Sequence, residues 1–174
     1  NVNAVCWHPN CNYILTGSDD RTCRLWDIQT GRSVRLLTGC GAGVNQVKIS
    51  PGGRYAVGAD YSGTVYRWDL GNGKLVNKFC QPPNENALPS RNPHIHSLSF
   101  SACGNALATG GDDCVVRLWD VQRGSVEKGS VDMKTPVASF STDTNLIMDL
   151  RFTRRNLLLA VGKVVNPIPL ATGN

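Results

Sequence analysis

His94 and His96 are the nearest this sequence comes to a metal-ligating pair. Alternate residues of a strand share a face, so the two imidazoles flanking Ile95 would be placed to pinch a cation. A protein-held zinc asks for three or four ligands, and the sequence positions no carboxylate or thiol to complete the set. His8 sits in a turn, and there is no Gly-x-Ser-x-Gly, so three scattered histidines give no motif for a nucleophilic triad. GCGAG at 39–43 has the composition of a phosphate-cradling loop, but such loops open a helix whose N-terminus faces the anion. This one feeds the strand-like VNQVKI and reads as a turn. The seven cysteines are odd in number and form no Cys-x-x-Cys. Cys6 lies in a strand-like run and Cys23 occupies the register held elsewhere by Val65 and Val116, so they read as small buried hydrophobes in a reducing compartment, cytosol or nucleus. No catalytic residue, cofactor or metal is expected, and the protein is not expected to be an enzyme.

Charge excludes further classes. Eighteen Lys and Arg stand against thirteen Asp and Glu, a formal +5. The basic residues are dispersed over turns and strand ends, unlike the clustered basic face of a nucleic-acid domain. No apolar run approaches the roughly 20 residues of a membrane-spanning helix. Protein partners are expected, with no direct nucleic acid and no membrane.

The elements that would position any functional side chain announce themselves as a repeat. TGSDDRTCRLWD at 16–27 returns as GADYSGTVYRWD at 58–69 and as TGGDDCVVRLWD at 109–120. Aligning Trp26, Trp68 and Trp119 also aligns Val2, Val44 and Ile95, each 24 residues earlier, without a gap. Between those columns an alternating apolar run, a turn (HPNCN, SPGGR, SACGN), a second short run, a Gly/Asp-rich turn and a third run recur in order. Strands of period two between turn residues argue an antiparallel four-stranded sheet per unit rather than helices. A fourth run follows the first two Trp-Asp pairs, Ser33 to Leu37 and Leu75 to Phe79. After the third, DVQRGSVEKGSVDM is polar and poorly patterned, so its outer strand is expected to be weak or absent.

The Trp-Asp pairs lie 42 and 51 residues apart, the spacing of propeller blades with one longer loop. On these residues the chain resembles the WD40 β-propellers. The resemblance implies an all-β fold, a WD40 β-propeller segment of three four-stranded blades plus a partial closing blade, about half of a seven-bladed ring. The expected boundaries are blades at 1–38, 43–80 and 94–133, a Pro-rich surface insertion at 81–93, the partial blade at 134–165 and a tail at 166–174. A ring of that size takes roughly 300 residues at about 40 to 45 per blade. The chain is therefore expected to be a piece of a longer protein, with further Trp-Asp units and an α-helical region before Asn1 and the remaining blades of its own chain as partners. Alone, it is expected to expose unpaired faces and to associate.

In the same family a Trp, a Ser or Thr, a His and an Asp form a hydrogen-bonded tetrad. By resemblance the structural positions are Thr16, Asp20, Trp26 and Asp27; Trp68 and Asp69; and Thr109, Asp113, Trp119 and Asp120. The second unit has Gly58 and Ser62 where the hydroxyl and carboxylate belong, and the histidine columns hold Cys40 and Arg91. No complete tetrad is expected.

Leu150 and Phe152 alternate into a strand, TRRN turns, and Leu157 to Val161 form another. Two strands do not bury themselves alone, so this pair reads as part of a ring-closing blade. FTRRNLLLAVG, with TPV before it and the first repeat at the other end, is similar to the C-terminal propellers of the WD40 TBP-associated factors of the general transcription factor TFIID. That likeness implies a nuclear, non-enzymatic scaffold that packs against histone-fold TBP-associated factors and supports RNA polymerase II preinitiation complex assembly. It also implies an exposed contact through Arg154 and Arg155. Two alternatives stand beside it: a subunit of a SAGA-type coactivator, and another WD40 scaffold such as a ubiquitin-ligase substrate receptor. The latter class often carries Arg or Lys two residues after Trp-Asp, where this chain has Gln29, Gly71 and Gln122.

Overall fold

Alternation of apolar and polar residues forces the chain into short strands, and Gly, Pro, Asn and Asp clusters turn it back on itself. The computed structural model describes residues 1–81, 94–122, 131–133, 135–142 and 146–163, and among them there are strands and turns but no helix. β1 (Val2–Trp7), β2 (Tyr13–Ser18), β3 (Cys23–Asp27) and β4 (Ser33–Leu37) form an antiparallel sheet in chain order. β5 (Val44–Ile49), β6 (Tyr55–Asp60), β7 (Thr64–Asp69) and β8 (Leu75–Cys80) repeat it. β9 (Ile95–Phe100), β10 (Ala106–Gly111) and β11 (Val115–Asp120) begin a third.

The third sheet departs from the expected boundaries. Its outer strand is neither weak nor drawn from the stretch before residue 134: it is β13 (Ala138–Ser141), paired antiparallel with β11 from Val115↔Ser141 to Leu118↔Ala138. β12 (Val131–Met133) instead lies parallel to β8 and makes the second sheet five-stranded. The polar run after Asp120 therefore spans a detour to the neighbouring sheet before the chain returns. β14 (Ile147–Phe152) and β15 (Leu158–Gly162) form a two-stranded sheet. The 82–93 insertion, Arg91 and the 166–174 tail lie outside the described residues.

Register is conserved across the repeats. Trp26 stands opposite Ile14, Trp68 opposite Ala56 and Trp119 opposite Leu107, the same position in each unit. A bulge recurs at the head of each innermost strand, between Val2 and Ala4 and between Val44 and Gln46, and in the last pair between Ile147 and Asp149. The bulge identifies β14 as the innermost strand of a fourth unit.

The apolar cores lie between sheets. Leu15, Cys23 and Leu25 of the first meet Val44, Val47 and Trp68 of the second. Val57, Val65 and Phe79 of the second meet Ile95, Leu98 and Trp119 of the third. Ala108 and Val116 of the third meet Ile147 and Leu150. Trp68 and Trp119 thus each pack on the sheet before their own. Glycine permits the approach: a Cβ on Gly17 would stand 2.7 Å from Cγ1 of both Val44 and Val47, and one on Gly110 would stand 2.8 Å from Ile147 Cγ2. The residues matching these contacts at the other end, Val2 and Val5, are 61% and 59% exposed, as are Leu159 and Val161 of β15 at 50% and 60%.

Candidate functional site

The polar residues that the sequence singles out fall between the sheets at one end of the strands, and the structure resolves them into three different networks. In the first sheet the Trp26 indole donates to Thr16 Oγ1 at 2.9 Å, and Thr16 in turn donates to the Arg24 carbonyl at 3.4 Å. Asp20 closes its own turn by accepting from the Thr22 amide and hydroxyl, and it pairs with Arg24 at 3.3 Å. The Thr22 hydroxyl is the main reason the Asp20 carboxyl is held below its usual range. Trp26 is only half-buried, because its face of the sheet is open.

The third sheet carries the fullest network. Trp119 donates to Thr109 Oγ1 at 3.1 Å. Gln81, at the end of the preceding sheet's outer strand, donates to the same oxygen at 3.5 Å and accepts from Arg117 at 2.9 Å. Arg117 pairs with Asp113, and both side chains are buried, at 3% and 7% exposed. Gln81 thus bridges the Thr109 hydroxyl and Arg117 from the neighbouring sheet.

The second sheet, from which both hydroxyl and carboxylate are missing at their usual columns, is satisfied by substitutes. Trp68 donates to the Thr38 carbonyl at 2.9 Å. A side chain at residue 58 would be tight: a Cβ there would stand 3.2 Å from both the Trp68 ring and Cys23 Sγ. The carboxylate comes from Asp60, two residues early and fully buried. Oδ1 accepts from Ser62 and from the Thr64 amide, and Oδ2 accepts from Tyr66 Oη at 3.0 Å and from the Ala42 amide at 3.1 Å. The Gly41 amide donates to Tyr66 Oη at 2.9 Å. GCGAG therefore does turn one amide, that of Ala42, toward an anion, but the anion is the protein's own Asp60.

Sequence reasoning missed Asp60, Tyr66 and Gln81. It also missed that the residue two before each tryptophan, Arg24, Tyr66 or Arg117, is the donor to the carboxylate. The recurring RLWD of the first and third units was the available signal. Asp27, Asp69 and Asp120 cap the following turns, each accepting from the amide two residues on, at 2.8, 2.8 and 2.9 Å.

Burial, with the Asp60 charge beside it, pushes the Tyr66 hydroxyl from its usual 10 up to about 12. The folded value lies above the unfolded one, so the stability Tyr66 supplies is complete below pH 10 and is lost as pH rises through 12. Tyr66→Phe is expected to flatten the fall in chemical-denaturation midpoint between pH 9.5 and 11.5; an unchanged slope would remove Tyr66 as its source.

The other candidates are occupied or dispersed. His96 Nε2 pairs with Asp112 at 2.6 Å, and His94 sets its ring edge-on to Tyr61 at 5.8 Å. Among the described residues no group of three or more His, Cys, Asp or Glu is placed to hold a metal. All seven cysteines are free. A hydrogen bond with Cys40, and then burial, pushes the Cys23 thiol well above the ordinary range, which suppresses thiolate chemistry. Arg154 and Arg155 are exposed in a turn that Asn156 pins to the third sheet through a 3.0 Å bond from the Ala102 amide.

What these networks do is partner most of the polar groups they bury, Arg117 Nε excepted, and lock neighbouring strands. Comparison with known proteins agrees. The family model for the WD domain, G-beta repeat, matches residues 1–27, 31–69 and 87–120. Transcription initiation factor TFIID subunit 5 of Caenorhabditis elegans is 34% identical over 173 residues, covering 92% of this chain and 26% of that protein. A Drosophila melanogaster protein LST8 homolog is 32% identical over 68% of the chain and 37% of its own length. A guanine nucleotide-binding protein subunit beta of Oryza sativa subsp. japonica is 37% identical over 64% of the chain and 29% of its own length. The chain spans from about a quarter to little more than a third of these relatives. With the repeat model matching more than half of its residues, and with the tryptophan of each repeat at one register in three successive sheets, the chain belongs to the WD40 repeat family.

Proposed function

We propose that this chain is part of the propeller of a TFIID-type TBP-associated factor: a nuclear, non-enzymatic scaffold that joins histone-fold TBP-associated factors and supports assembly of the RNA polymerase II preinitiation complex. The observation that carries the reading is the extent of the TFIID subunit 5 alignment. Covering 92% of 174 residues, it necessarily runs beyond the last Trp-Asp pair and through the TRRN turn, which belongs to no generic repeat. In this reading the three sheets and the β14–β15 pair are about half of a seven-bladed ring. The open Val2/Val5 and Leu159/Val161 faces then meet the ring's other blades.

Arg154 and Arg155 are the proposed partner contact. They are exposed on a turn held rigid by Asn156, and charge-assisted bonds from a preformed turn lose little on ordering. Reversing both to Glu in the intact protein is expected to cut recovery of histone-fold subunits from nuclear extract about tenfold or more, while leaving the melting temperature close to that of the unaltered protein. Full recovery would sink the contact. Absence of histone-fold subunits from the unaltered protein's complexes would sink the assignment to TFIID. The LST8 and G-beta alignments favour one second reading, a WD40 scaffold of another assembly, and the same purification would reveal it.

A further inference from the structure

One residue breaks the pattern of the sheets' interior. The position before each tryptophan is Leu25 in the first unit and Leu118 in the third, but Arg67 in the second. Its side chain faces the third sheet and is 1% exposed. Placing a guanidinium where leucine serves in the sister sheets is unfavourable, because desolvation of a charge outweighs most of what its partners return. Burial accordingly lowers the Arg67 pKa from the ordinary arginine value.

The surroundings of Arg67 are built to hold positive charge at a cleft. Arg67 donates to the Val121 carbonyl of the third sheet, and its guanidinium carbon lies 4.4 Å from the centroid of the Tyr55 ring. A second guanidinium, that of Arg54, lies 5.0 Å from the same ring. Arg54 is 69% exposed and pairs through Nε with Asp69 at 3.2 Å. Between the two sheets these residues line a cleft of about 500 Å³ with Cys103, Asn105 and Gln122. That volume is within the range of ligand-binding clefts. Two arginines line it and no Asp or Glu does.

We infer that this cleft between the second and third sheets binds a carboxylate side chain on an acidic segment of a protein partner. The Arg54 guanidinium, stacked on the Tyr55 ring with its Nε on Asp69, is oriented before binding and turns its terminal nitrogens to a carboxylate, while Arg67, 1% exposed, adds its charge from behind the ring. Arg67 would supply the buried charge and Arg54 the entry. The Gln122 to Asn105 hydrogen bond, 2.8 Å, borders the opposite wall. The protein's formal +5 draws an acidic chain toward the cleft. A nucleic acid is the poorer match, because it is held by a stripe of basic residues, and two arginines in one recess offer a single anchoring point. The inference does not depend on which assembly the scaffold joins.

The test uses the intact protein and a fluorescein-labelled ten-residue peptide of alternating Glu and Gly, read by anisotropy, with the Gln–Gly peptide, inorganic phosphate and a single-stranded oligonucleotide as comparisons. Saturable binding of the Glu peptide is expected, with the Gln peptide silent. Arg67→Leu and Arg54→Gln are each expected to weaken binding about tenfold or more, while Arg35→Gln, beside a different cleft, leaves it unchanged. Leucine is the residue of the sister sheets, so R67L is expected to fold; if it does not, R54Q at the exposed rim carries the test. Peptide should also slow alkylation of Cys103, a thiol whose bond with Ser101 already favours the thiolate. Binding by both arginine variants as tight as that of the unaltered protein, absence of saturable binding, or tighter binding of phosphate or oligonucleotide than of the Glu peptide would overturn the inference.

Discussion

Replacing Trp119 with alanine is expected to destabilise the protein by about 3–5 kcal/mol, the range for emptying a buried aromatic site. The indole is 1% exposed and lies between the second and third sheets, edge-on to Phe79 with ring centroids 5.6 Å apart. Its removal leaves a cavity that sheet packing from both sides does not collapse, and it deprives Thr109 of a donor inside the Gln81–Arg117–Asp113 network. Trp26→Ala is expected to fall well short of this, because Trp26 is half-buried on an open face. Urea denaturation of the two variants followed by far-ultraviolet circular dichroism checks the ranking. A Trp119→Ala loss below about 1 kcal/mol would mean that the sheets are not clamped at this position.

Asp60→Ala is the second large effect, again about 3–5 kcal/mol, the cost of removing one side of a buried charge network. The carboxylate is fully buried and gathers donors from the Ser62 turn, the Thr64 amide, Tyr66 and the Ala42 amide. Without it the buried Tyr66 hydroxyl loses its acceptor, and the half-buried Thr64 and Ala42 amides lose theirs. Ser62→Ala, by contrast, removes one hydroxyl at a turn and is expected to cost about 1 kcal/mol. Hydrogen exchange localises the effect: Ala42 should lose protection in Asp60→Ala well beyond any uniform loss across the sheet. Undiminished protection there would show that the loop between the first two sheets is held by something other than Asp60.

The same residue shows where reading the sequence succeeds and where it stops. Strand positions, the shared register of the three tryptophans and the β14–β15 pair follow from alternation and turn chemistry, which act over a few residues and leave a local trace. The partner of a buried donor leaves none. Ser62 at the expected column suggested a lost carboxylate, yet Asp60 reaches the same place from two residues away, and Tyr66 replaces arginine as its donor. Gln81 supplies a bridge from a neighbouring sheet, where column alignment within a repeat does not look. The third outer strand was missed for a related reason: a three-residue strand such as β12 is too short to show a period, so the polar stretch around it hid a visit to the adjacent sheet.

That visit ties two sheets into one mechanical unit. The chain leaves the third sheet at Asp120, lends Val131–Met133 to the outer edge of the second, and returns at Ala138 to finish the third. β12 covers Asn77–Phe79 of β8, so a stray strand from another molecule cannot be added on that stretch, whereas among the described residues no strand pairs with the outer flank of β4. Peeling the third sheet away requires stripping β12 from β8 as well, so these two sheets should let go together and the first should unzip separately.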